Sequence, residues 1–375
     1  MRFSESWLRE WVNPPIDTRT LADQLRGKGY ATALFGMWNL GRGRPGTTGS
    51  PAGRGFDLYR RPDDLGFPKD AYRDDKGRYL SDALADEAIA WVERNKGRPF
   101  LLYFADHSVH EPFDPKPELL AKYRAKARPA GESGFTPEYA ATIEAFDANV
   151  GRLMARIEAL GLAKDTILIF TSDNGGTPGG VAPLRGSKGL LYEGGLRVPG
   201  FVHWPGSIPG GRVLDAPVAS IDLAPTALEA AQASFPEGQK VDGASLLPVL
   251  LGKAPAPPAR PLFWHFPCYI GKGEPMSLAR VGDLKLIQKF AGPSFELYDL
   301  AADPAESRDL AKERPAKVDE LRGLLAAWQS ETGAFLADKP NPAFDPSARE
   351  PRGGGKGGRK PREGAAAETG RDVGR

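Results

Sequence analysis

The sequence predicts an α/β fold: a mostly parallel sheet between helices, followed by a small C-terminal antiparallel sheet with a helix. Over residues 1–252, short uncharged strand patterns alternate with amphipathic helix patterns, as in a doubly wound parallel sheet. A proline-rich stretch, residues 253–260, then interrupts the alternation and is typical of a linker. Beyond it, short strand patterns are separated by turn residues and followed by one helix pattern.

The elements of the first unit are predicted from their periodicity. Its helix patterns have apolar residues three and four apart, with a capping residue or glycine at one end; they cover residues 17–28, 81–95, 222–232 and a long helix that Thr136 caps and that reaches Leu160. Its strand patterns are short, apolar and rich in β-branched or aromatic residues; they cover residues 30–35, 99–105, 166–172 and 200–204. Because the run over 166–172 carries no charge, we expect it to be covered on both faces within the parallel sheet, and we expect 200–204 to be buried as well.

The second unit is predicted to span residues 261–338. Its apolar runs, bounded by turn residues, predict strands over 261–264, 277–281, 284–290 and 295–300, and its periodic segment predicts a helix over 317–330. From residue 339 onward the chain consists largely of Pro, Gly, Arg and Lys. Residues 339–375 are therefore expected to be a disordered, solvated basic tail.

Composition excludes several classes of protein. Of the 375 residues, 41% are hydrophobic and the mean hydropathy is −0.40, which is typical of a globular chain. The 50 basic and 48 acidic residues nearly cancel, so no nucleic-acid partner is expected. The single cysteine, Cys268, excludes an internal disulfide framework and a four-cysteine zinc site.

No apolar run approaches the ~20 residues of a membrane helix, so no membrane partner is expected. The amino terminus, MRFSESWLREW, carries charges where a signal peptide needs apolar residues. As encoded, the chain is expected in the cytoplasm; a true start upstream of Met1 would instead allow a periplasmic or secreted protein. The sequence does not indicate an oligomeric state.

Residues 171–199, TSDNGGTPGGVAPLRGSKGLLYEGGLRVP, form the predicted site segment. Asp173 and Asn174 directly follow a predicted strand, and ligands of open α/β sheets bind at the carboxyl ends of the strands. Their hard oxygen donors suit calcium or magnesium, but calcium takes about 6 to 8 oxygens, so further ligands must come from elsewhere. The alternative interpretation is that DNGG is only a turn.

A basic loop follows within the site segment. Lys188 lies between Gly186 and Gly189, with Arg185 nearby, and EGGLRVP comes next. Glycines of this kind let the backbone and cations approach an anion closely. The loop therefore predicts an anion site, to which Lys188 and Arg185 contribute charge.

Taken in order, SDNGG, RGSKG and EGGLRVP resemble the metal and lysine segment of the sulfatases of the alkaline phosphatase superfamily. The resemblance extends from Thr20 to Trp328 and implies the sulfatase fold and the hydrolysis of carbohydrate or aryl sulfate esters. It implies that Asp173 and Asn174 are calcium ligands and that Lys188 contacts the sulfate group. There an ammonium charge would stabilise the transition state as the S–O bond breaks.

Two histidines are further candidates. His110, in DHSVHEP, follows the strand predicted over 99–105 and resembles the family's histidine on the leaving-group side of the ester, where it would donate a proton to the departing alkoxide. His265, in HFPCYI, is a candidate substrate contact at a strand end, as is Arg185 beside Lys188. The alternatives are that His110 is a structural histidine and that the aromatic cluster around His265 only packs.

Departures from the family pattern bear on activity. In GMWNLG, Met37 and Asn39 occupy the positions of the family's lysine and histidine; methionine carries no charge, and asparagine does not transfer a proton near neutral pH. We find no nucleophile and no formylglycine precursor, since SPAGR over residues 50–54 follows GMWNLG and is interpreted as a chance match. The paired aspartates that complete the family's calcium site are not found ahead of Thr20.

These departures leave three hypotheses open. The chain is a sulfatase-family hydrolase that is impaired or inactive as it stands, or a non-catalytic module that holds a sulfated or other anionic ligand through Lys188, Arg185 and His110. The third hypothesis is a fragment of a complete sulfatase whose start is mis-assigned. The expected ligand is a small-molecule or carbohydrate sulfate ester, and the expected calcium site is weak or incomplete. An incomplete sheet would also expose a strand edge, which favours self-association.

Overall fold

The computed structural model describes residues 18–40, 49–68, 71–126, 136–176, 181–269 and 273–337. The tail predicted over residues 339–375 lies outside them. The helices of the first unit are α1 (Leu21–Gly27), α2 (Leu80–Asn95), α3 (Pro117–Ala125), α4 (Pro137–Ala159), α5 (Glu193–Leu196), α6 (Leu223–Ala230) and α7 (Leu247–Leu250). Its strands are β1 (Ala31–Gly36), β2 (Leu58–Arg60), β3 (Phe100–Ala105), β4 (Leu168–Thr171) and β5 (Gly200–His203). The sequence patterns did not predict β2, α3, α5 or α7.

A three-stranded parallel sheet with the order β2-β1-β3 forms the centre of the first unit. Every residue of β1 is buried. On one face, Phe35 packs against α2, with its ring centroid 6.3 Å from that of Trp91. On the other face, Leu34 packs with Ala22 of α1. The predicted fold class, a parallel sheet between helices, is confirmed.

The strands predicted over residues 166–172 and 200–204 form, but not where they were expected. β4 and β5 make a separate two-stranded antiparallel pair, β4 is only half-buried and most of β5 is exposed. The prediction that both strands are buried, and that the first belongs to the parallel sheet, is therefore wrong for the described residues. The reason is that their apolar surface is covered in another way: the Phe170 ring stacks on Phe201 at 4.9 Å and lies 6.1 Å from Phe146 of α4.

Polar caps decide where two of the helices begin. The Thr20 hydroxyl accepts a hydrogen bond from the Asp23 amide at 3.1 Å, and the Asp23 carboxylate accepts one from the Thr20 amide at 3.0 Å. This capping box starts α1 later than the sequence pattern suggested. At α4 the predicted cap is confirmed, because the Thr136 hydroxyl accepts a hydrogen bond from the Tyr139 amide at 3.1 Å.

The second unit is a four-stranded antiparallel sheet, here called the C-terminal sheet, with one helix packed on it. Its elements are β6 (Leu262–Phe266), β7 (Met276–Val281), β8 (Leu284–Lys289), β9 (Ser294–Asp299) and α8 (Pro315–Thr332), and the strands pair in chain order. Leu286 and Leu297 on the sheet are buried against Leu321 and Leu325 of α8. The predicted antiparallel sheet with a helix is confirmed.

The site segment lies against this C-terminal sheet. Leu191 and Tyr192 are buried in one cluster with Met276 and Leu278 of β7. The fold therefore holds the predicted functional segment between the two units. No helix among the described residues is both long enough and apolar enough to cross a membrane.

Candidate functional site

The two halves of the site segment are joined through their backbones. The Gly175 amide donates a hydrogen bond to the Gly195 carbonyl at 2.9 Å, and the Lys188 amide donates one to the Gly176 carbonyl at 2.9 Å. A third bond, from the Gly194 amide to the Arg185 carbonyl at 2.7 Å, closes the loop that carries Lys188. The residues after β4 and the basic loop, which are separate in sequence, therefore form one folded rim.

Glycine is required where these backbones meet. A Cβ atom on Gly175 would lie 2.0 Å from the Gly194 carbonyl oxygen, and one on Gly195 would lie 2.1 Å from the Leu190 carbonyl oxygen. Both distances are far shorter than a van der Waals contact, and the obstacles are backbone atoms that cannot turn away. The glycines of SDNGG and EGGLRVP thus permit the close approach that brings Lys188 near the Asp173 loop.

Asp173 is exposed and Asn174 is half-buried at the carboxyl end of β4. The Asn174 carbonyl accepts a hydrogen bond from the Ser172 hydroxyl at 3.0 Å, which fixes the turn in which the pair stands. Their two side chains offer hard oxygen donors of the kind that calcium prefers, but far fewer than the 6 to 8 that it takes. Over the described ranges, no group of three or more His, Cys, Asp or Glu side chains is placed to hold a metal ion. The described residues thus fit only part of a calcium site.

Lys188 is half-buried, and among the described residues its ammonium group makes no hydrogen bond or ion pair. A cation without a protein partner, on a loop held by its backbone, is available to an external anion. The structure thus places the predicted cation and the predicted oxygen pair on the same rim. This juxtaposition depends on the glycine contacts and not on any side-chain contact between them.

His110 lies in the loop that follows β3, and hydrogen bonds to Asp106 hold this loop in place. Asp106 accepts hydrogen bonds from the Ser108 amide, at 2.8 Å, and from the Ser81 hydroxyl of α2. His110 itself is exposed, and its Nδ1 lies 2.7 Å from the Glu111 carbonyl. Because a carbonyl oxygen only accepts hydrogen bonds, Nδ1 carries a hydrogen and donates the bond to Glu111. The other ring nitrogen, Nε2, is therefore the atom available for proton transfer to a ligand. No contact in the described part of the chain joins His110 to Asp173 or Lys188.

Asp173 lies within electrostatic reach of Tyr103, the fourth residue of β3. Desolvation raises the pKa of the Tyr103 phenol on β3, and the nearby Asp173 carboxylate raises it further. At the end of β1, the Met37 amide donates a hydrogen bond to the Ala105 carbonyl at 2.9 Å. Met37 and Asn39 are both exposed there. The two departures from the family pattern therefore stand beside the loop that carries His110.

The Arg185 side chain forms hydrogen bonds mainly with residues of the second unit. Its guanidinium donates hydrogen bonds to the Tyr298 hydroxyl at 2.7 Å, to the Glu306 carbonyl at 3.0 Å and to the Tyr192 hydroxyl at 3.2 Å. It also lies over the Tyr192 ring, 4.0 Å from the centroid. The structure thus gives Arg185 a structural set of contacts, and its predicted contact with substrate stays a prediction.

His265 is likewise held by protein atoms on both ring nitrogens. Nε2 lies 2.7 Å from the Phe335 carbonyl, and Nδ1 lies 2.6 Å from the Ser277 hydroxyl. Nε2 therefore donates, and Nδ1 accepts from the serine. Burial lowers the pKa of His265, which keeps the ring neutral. Its predicted substrate contact also stays a prediction.

Sequence reasoning missed one group of charged residues beside the site. Glu193 begins α5, and its carboxylate pairs with Lys285 of β8 at 3.0 Å; the same ammonium pairs with Glu306 at 2.8 Å. All three side chains are nearly excluded from solvent. Glu193 was visible in EGGLRVP, but no local pattern indicates that its partners lie 92 and 113 residues further along the chain.

The fold and the rim together define a class of protein. A parallel sheet flanked by helices, a glycine-rich loop that presents a cation near two oxygen donors, and a separate four-stranded antiparallel sheet make this an α/β protein whose candidate site lies at the carboxyl end of a strand. The family profile "Sulfatase" matches residues 2–233, and the profile "N-sulphoglucosamine sulphohydrolase, C-terminal" matches residues 187–327. The chain belongs to the sulfatase family, and the predicted resemblance is confirmed.

Individual relatives agree with this assignment. A sulfatase from Formosa agariphila is 35% identical over 284 residues, which are 68% of this chain and 51% of that protein. Human arylsulfatase A is 30% identical over 360 residues, covering 82% of this chain and 65% of its own length. The solved structure of Ps i-CgsB has a TM-score of 0.73 and 26% identity, and the match covers 87% of this chain and 78% of that one. The chain spans about half the length of several curated relatives it matches, 51% for the Formosa protein and 46% for mouse steryl-sulfatase.

Proposed function

We propose that this chain binds a sulfate ester at the rim formed by the Asp173 loop and the Lys188 loop, and that it is a sulfuric ester hydrolase with reduced turnover. The observation that carries the proposal is the hydrogen bond from the Lys188 amide to the Gly176 carbonyl, at 2.9 Å. This bond holds the backbone of the half-buried Lys188 next to the loop that presents Asp173. Family membership supports sulfate as the anion.

In the proposed hydrolysis, a water molecule supplies the oxygen that bonds to sulfur, and the S–O bond to the alkoxide breaks. The two protons of that water pass to solvent, from which His110 regains the proton that it donates. Each residue has a distinct role. Lys188 neutralises the non-bridging sulfate oxygens as negative charge develops on them. His110, protonated at Nε2, donates that proton to the leaving alkoxide; its Nδ1 hydrogen bond to Glu111 fixes the ring. Asp173 and Asn174 would supply two of the about 6 to 8 oxygen ligands of a calcium ion, which would help to neutralise the charge of the sulfate group.

Met37 and Asn39 are the basis for reduced turnover. Both are exposed at the end of β1, beside the His110 loop, and neither carries a charge. A transition state that gains negative charge there receives less stabilisation than from a lysine and a histidine. Each missing charge-assisted hydrogen bond is worth about 1.5 to 3 kcal/mol.

A carbohydrate sulfate ester is the proposed substrate class. The structure of Ps i-CgsB in complex with k-i-k-neocarrahexaose is similar to this chain, with 25% identity and a TM-score of 0.71. The exposed positions of Asp173 and His110 support this choice, because an open rim admits an oligosaccharide chain. Arg185 and His265 remain proposed substrate contacts that would act only after releasing their present partners.

Binding of inorganic sulfate, measured by isothermal titration calorimetry, tests the proposal. Lys188→Met should weaken the affinity about tenfold, since one charge-assisted contact is lost. Lys253→Met, at an exposed lysine outside the rim, is the matched control and should bind like the wild type. The double variant Met37→Lys/Asn39→His should bind sulfate at least fivefold more tightly. Equal affinity in all four proteins would contradict the proposal.

A second candidate function is capture of a sulfated ligand without hydrolysis. Met37 favours it, because methionine supports neither charge stabilisation nor proton transfer. Release of inorganic sulfate from a chromogenic aryl sulfate distinguishes the two functions. A chain that binds sulfate but releases none from the ester is a binding module.

A further inference from the structure

The loop that carries Lys188 is tied to the C-terminal sheet at both of its ends. Before Lys188, the Arg185 guanidinium reaches the Tyr298 hydroxyl of β9 and the Glu306 carbonyl. After Lys188, the Glu193 carboxylate reaches Lys285 of β8 at 3.0 Å. A loop fixed at two points has little freedom between them. The position of Lys188 therefore depends on residues that lie far away in sequence.

The second tie is a buried cluster of charges. The Lys285 ammonium lies 3.0 Å from the Glu193 carboxylate and 2.8 Å from the Glu306 carboxylate, and the three side chains are 1%, 6% and 0% exposed. Glu306 also accepts a hydrogen bond from the Glu193 amide at 2.6 Å. Arg280 approaches Glu193 at 4.0 Å and brings the formal charge of the group close to zero. The cluster thus holds the backbone as well as the side chain at the start of α5.

Such a cluster is costly to assemble. Desolvation of buried ions opposes their attraction, so a buried ion group often contributes little net stability compared with apolar residues. Burial raises the pKa of the Glu306 carboxyl, and the adjacent Lys285 ammonium acts against that shift. Glu306 also has a φ of 54°, in the left-handed region that few residues other than glycine adopt. A charged cluster that is costly to bury, on a strained backbone, points to a role in positioning the adjacent start of α5 and not only in stabilising the fold.

We propose that Lys285, Glu193 and Glu306 are positioning residues that fix the Lys188 loop against the Asp173 loop, so that the C-terminal sheet sets the geometry of the anion site. The inference rests on the proposed function, because Lys188 is the residue whose position matters. The physical chain runs from Lys285 through Glu193 to α5. There Gly194 and Gly195 make the backbone bonds to Arg185 and Gly175.

The test compares two identical substitutions in the second unit. Lys285→Met removes the centre of the cluster, whereas Lys317→Met removes the partner of Glu320 in an exposed ion pair within α8. Hydrogen exchange of the full chain is followed by mass spectrometry. In Lys285→Met, peptides over residues 185–197 should exchange at least tenfold faster, while α2 keeps its protection. In Lys317→Met, residues 185–197 should exchange within twofold of the wild-type rate.

If Lys285, Glu193 and Glu306 only stabilised the C-terminal sheet, the pattern of hydrogen exchange would be different. Faster exchange confined to β7, β8 and β9, with residues 185–197 unchanged, overturns the proposal. If Lys285→Met loses protection everywhere, including α2, Glu306→Gln takes its place, since it keeps a hydrogen-bonding group of the same size. Unchanged exchange over residues 185–197 in Glu306→Gln overturns the proposal as well.

Sulfate affinity separates this inference from the proposed function. Lys285→Met should bind inorganic sulfate at least fivefold more weakly than Lys317→Met. If the wild-type chain binds no sulfate, the proposed function fails, while the exchange experiment still decides whether the cluster positions the loop. If sulfate binds and Lys285→Met binds it as tightly as wild type, the positioning role is wrong and the proposed function stands.

Discussion

Single glycines limit what the site segment tolerates. Gly195→Ala would place a Cβ 2.1 Å from the Leu190 carbonyl oxygen and 2.6 Å from the Ser187 carbonyl oxygen. We expect a loss of about 1 to 3 kcal/mol in the free energy of unfolding, because the backbone must shift to admit the methyl group. Urea denaturation measures the change.

Gly151 provides the matched control. It lies within α4, is exposed, and a Cβ there meets nothing within 4 Å. Gly151→Ala should therefore raise the free energy of unfolding by about 0.5 to 1 kcal/mol through helix propensity. Equal effects of the two substitutions would show that the close backbone approach at Gly195 does not constrain the site.

His265 predicts a dependence of stability on pH. Burial lowers the pKa of His265 in the folded state below the unfolded value of about 6.5. At a pH between these two pKa values, the unfolded chain binds a proton that the folded chain does not. The stabilisation is complete above about pH 6.5 and is lost as the pH falls toward the folded pKa. His265→Gln should therefore lose less stability than wild type between about pH 7.5 and 5.5.

Urea midpoints at these two pH values provide the measurement. His203→Gln, on the exposed face of β5, is the control and should follow the wild-type dependence on pH. Identical slopes for wild type and His265→Gln would mean that the ring does not stay neutral between Phe335 and Ser277.

At the scale of elements, the capping box decides how firmly α1 is held. The Thr20 hydroxyl accepts from the Asp23 amide and donates to the Arg54 carbonyl at 2.7 Å. Thr20→Ala should lower the free energy of unfolding by about 1 to 2 kcal/mol, because both bonds are lost. Thr20→Ser keeps the hydroxyl and should stay within about 0.5 kcal/mol of wild type. Thermal unfolding of the three proteins checks this, and equal midpoints would rule out the cap as a source of stability.

Sequence periodicity predicted most elements but not all of their partners. The long helix after Thr136 and the four strands of the second unit follow from local patterns, so they were predictable. β4 was predicted as a strand, but its apolar run does not specify which strand it pairs with. In the structure, the Phe170 ring packs against Phe201 of β5 and against α4. α3 was missed because its segment is short, and its apolar face consists only of Leu119, Leu120 and Tyr123, all half-buried.

The candidate site was predictable to a similar extent. Asp173, Asn174 and Lys188 stand in a contiguous motif, and the structure joins their loops through glycine backbones. Arg185 also stands in that motif, but apart from Tyr192 in the same segment, the residues that engage its side chain come from β9 and from Glu306. Contacts between residues about a hundred positions apart depend on the tertiary fold, and one sequence does not encode them in any local pattern.

At the scale of the whole molecule, several strands have an open edge within the described residues, among them β3 and both strands of the β4–β5 pair. Within the described residues, β3 pairs only with β1, and β4 pairs only with β5. Tyr103 on β3 is 53% exposed and Phe201 on β5 is 45% exposed. Exposed edges with apolar side chains favour association between chains. We expect sedimentation velocity to show concentration-dependent self-association, and we expect Tyr103→Lys to weaken it.

Val213→Lys is the control for this experiment. Val213 is 83% exposed, outside any strand, so a lysine there adds the same charge without touching an edge. Self-association that responds equally to both substitutions would reflect net charge alone. No self-association in wild type would mean that these edges are covered in solution.

The aromatic contacts of Arg185 also give the molecule an optical signature. Burial, reinforced by hydrogen bonds to Glu296, raises the pKa of both Tyr192 and Tyr298 well above its ordinary value. The protein has 10 tyrosines, and solvent-facing phenols ionise first in an alkaline ultraviolet titration. Tyr59, whose pKa burial raises to about 12, follows them. Tyr192 and Tyr298 are therefore expected to ionise last. The final rise in phenolate absorbance would report the separation of the segment that carries Lys188 from the C-terminal sheet, and no added label is needed.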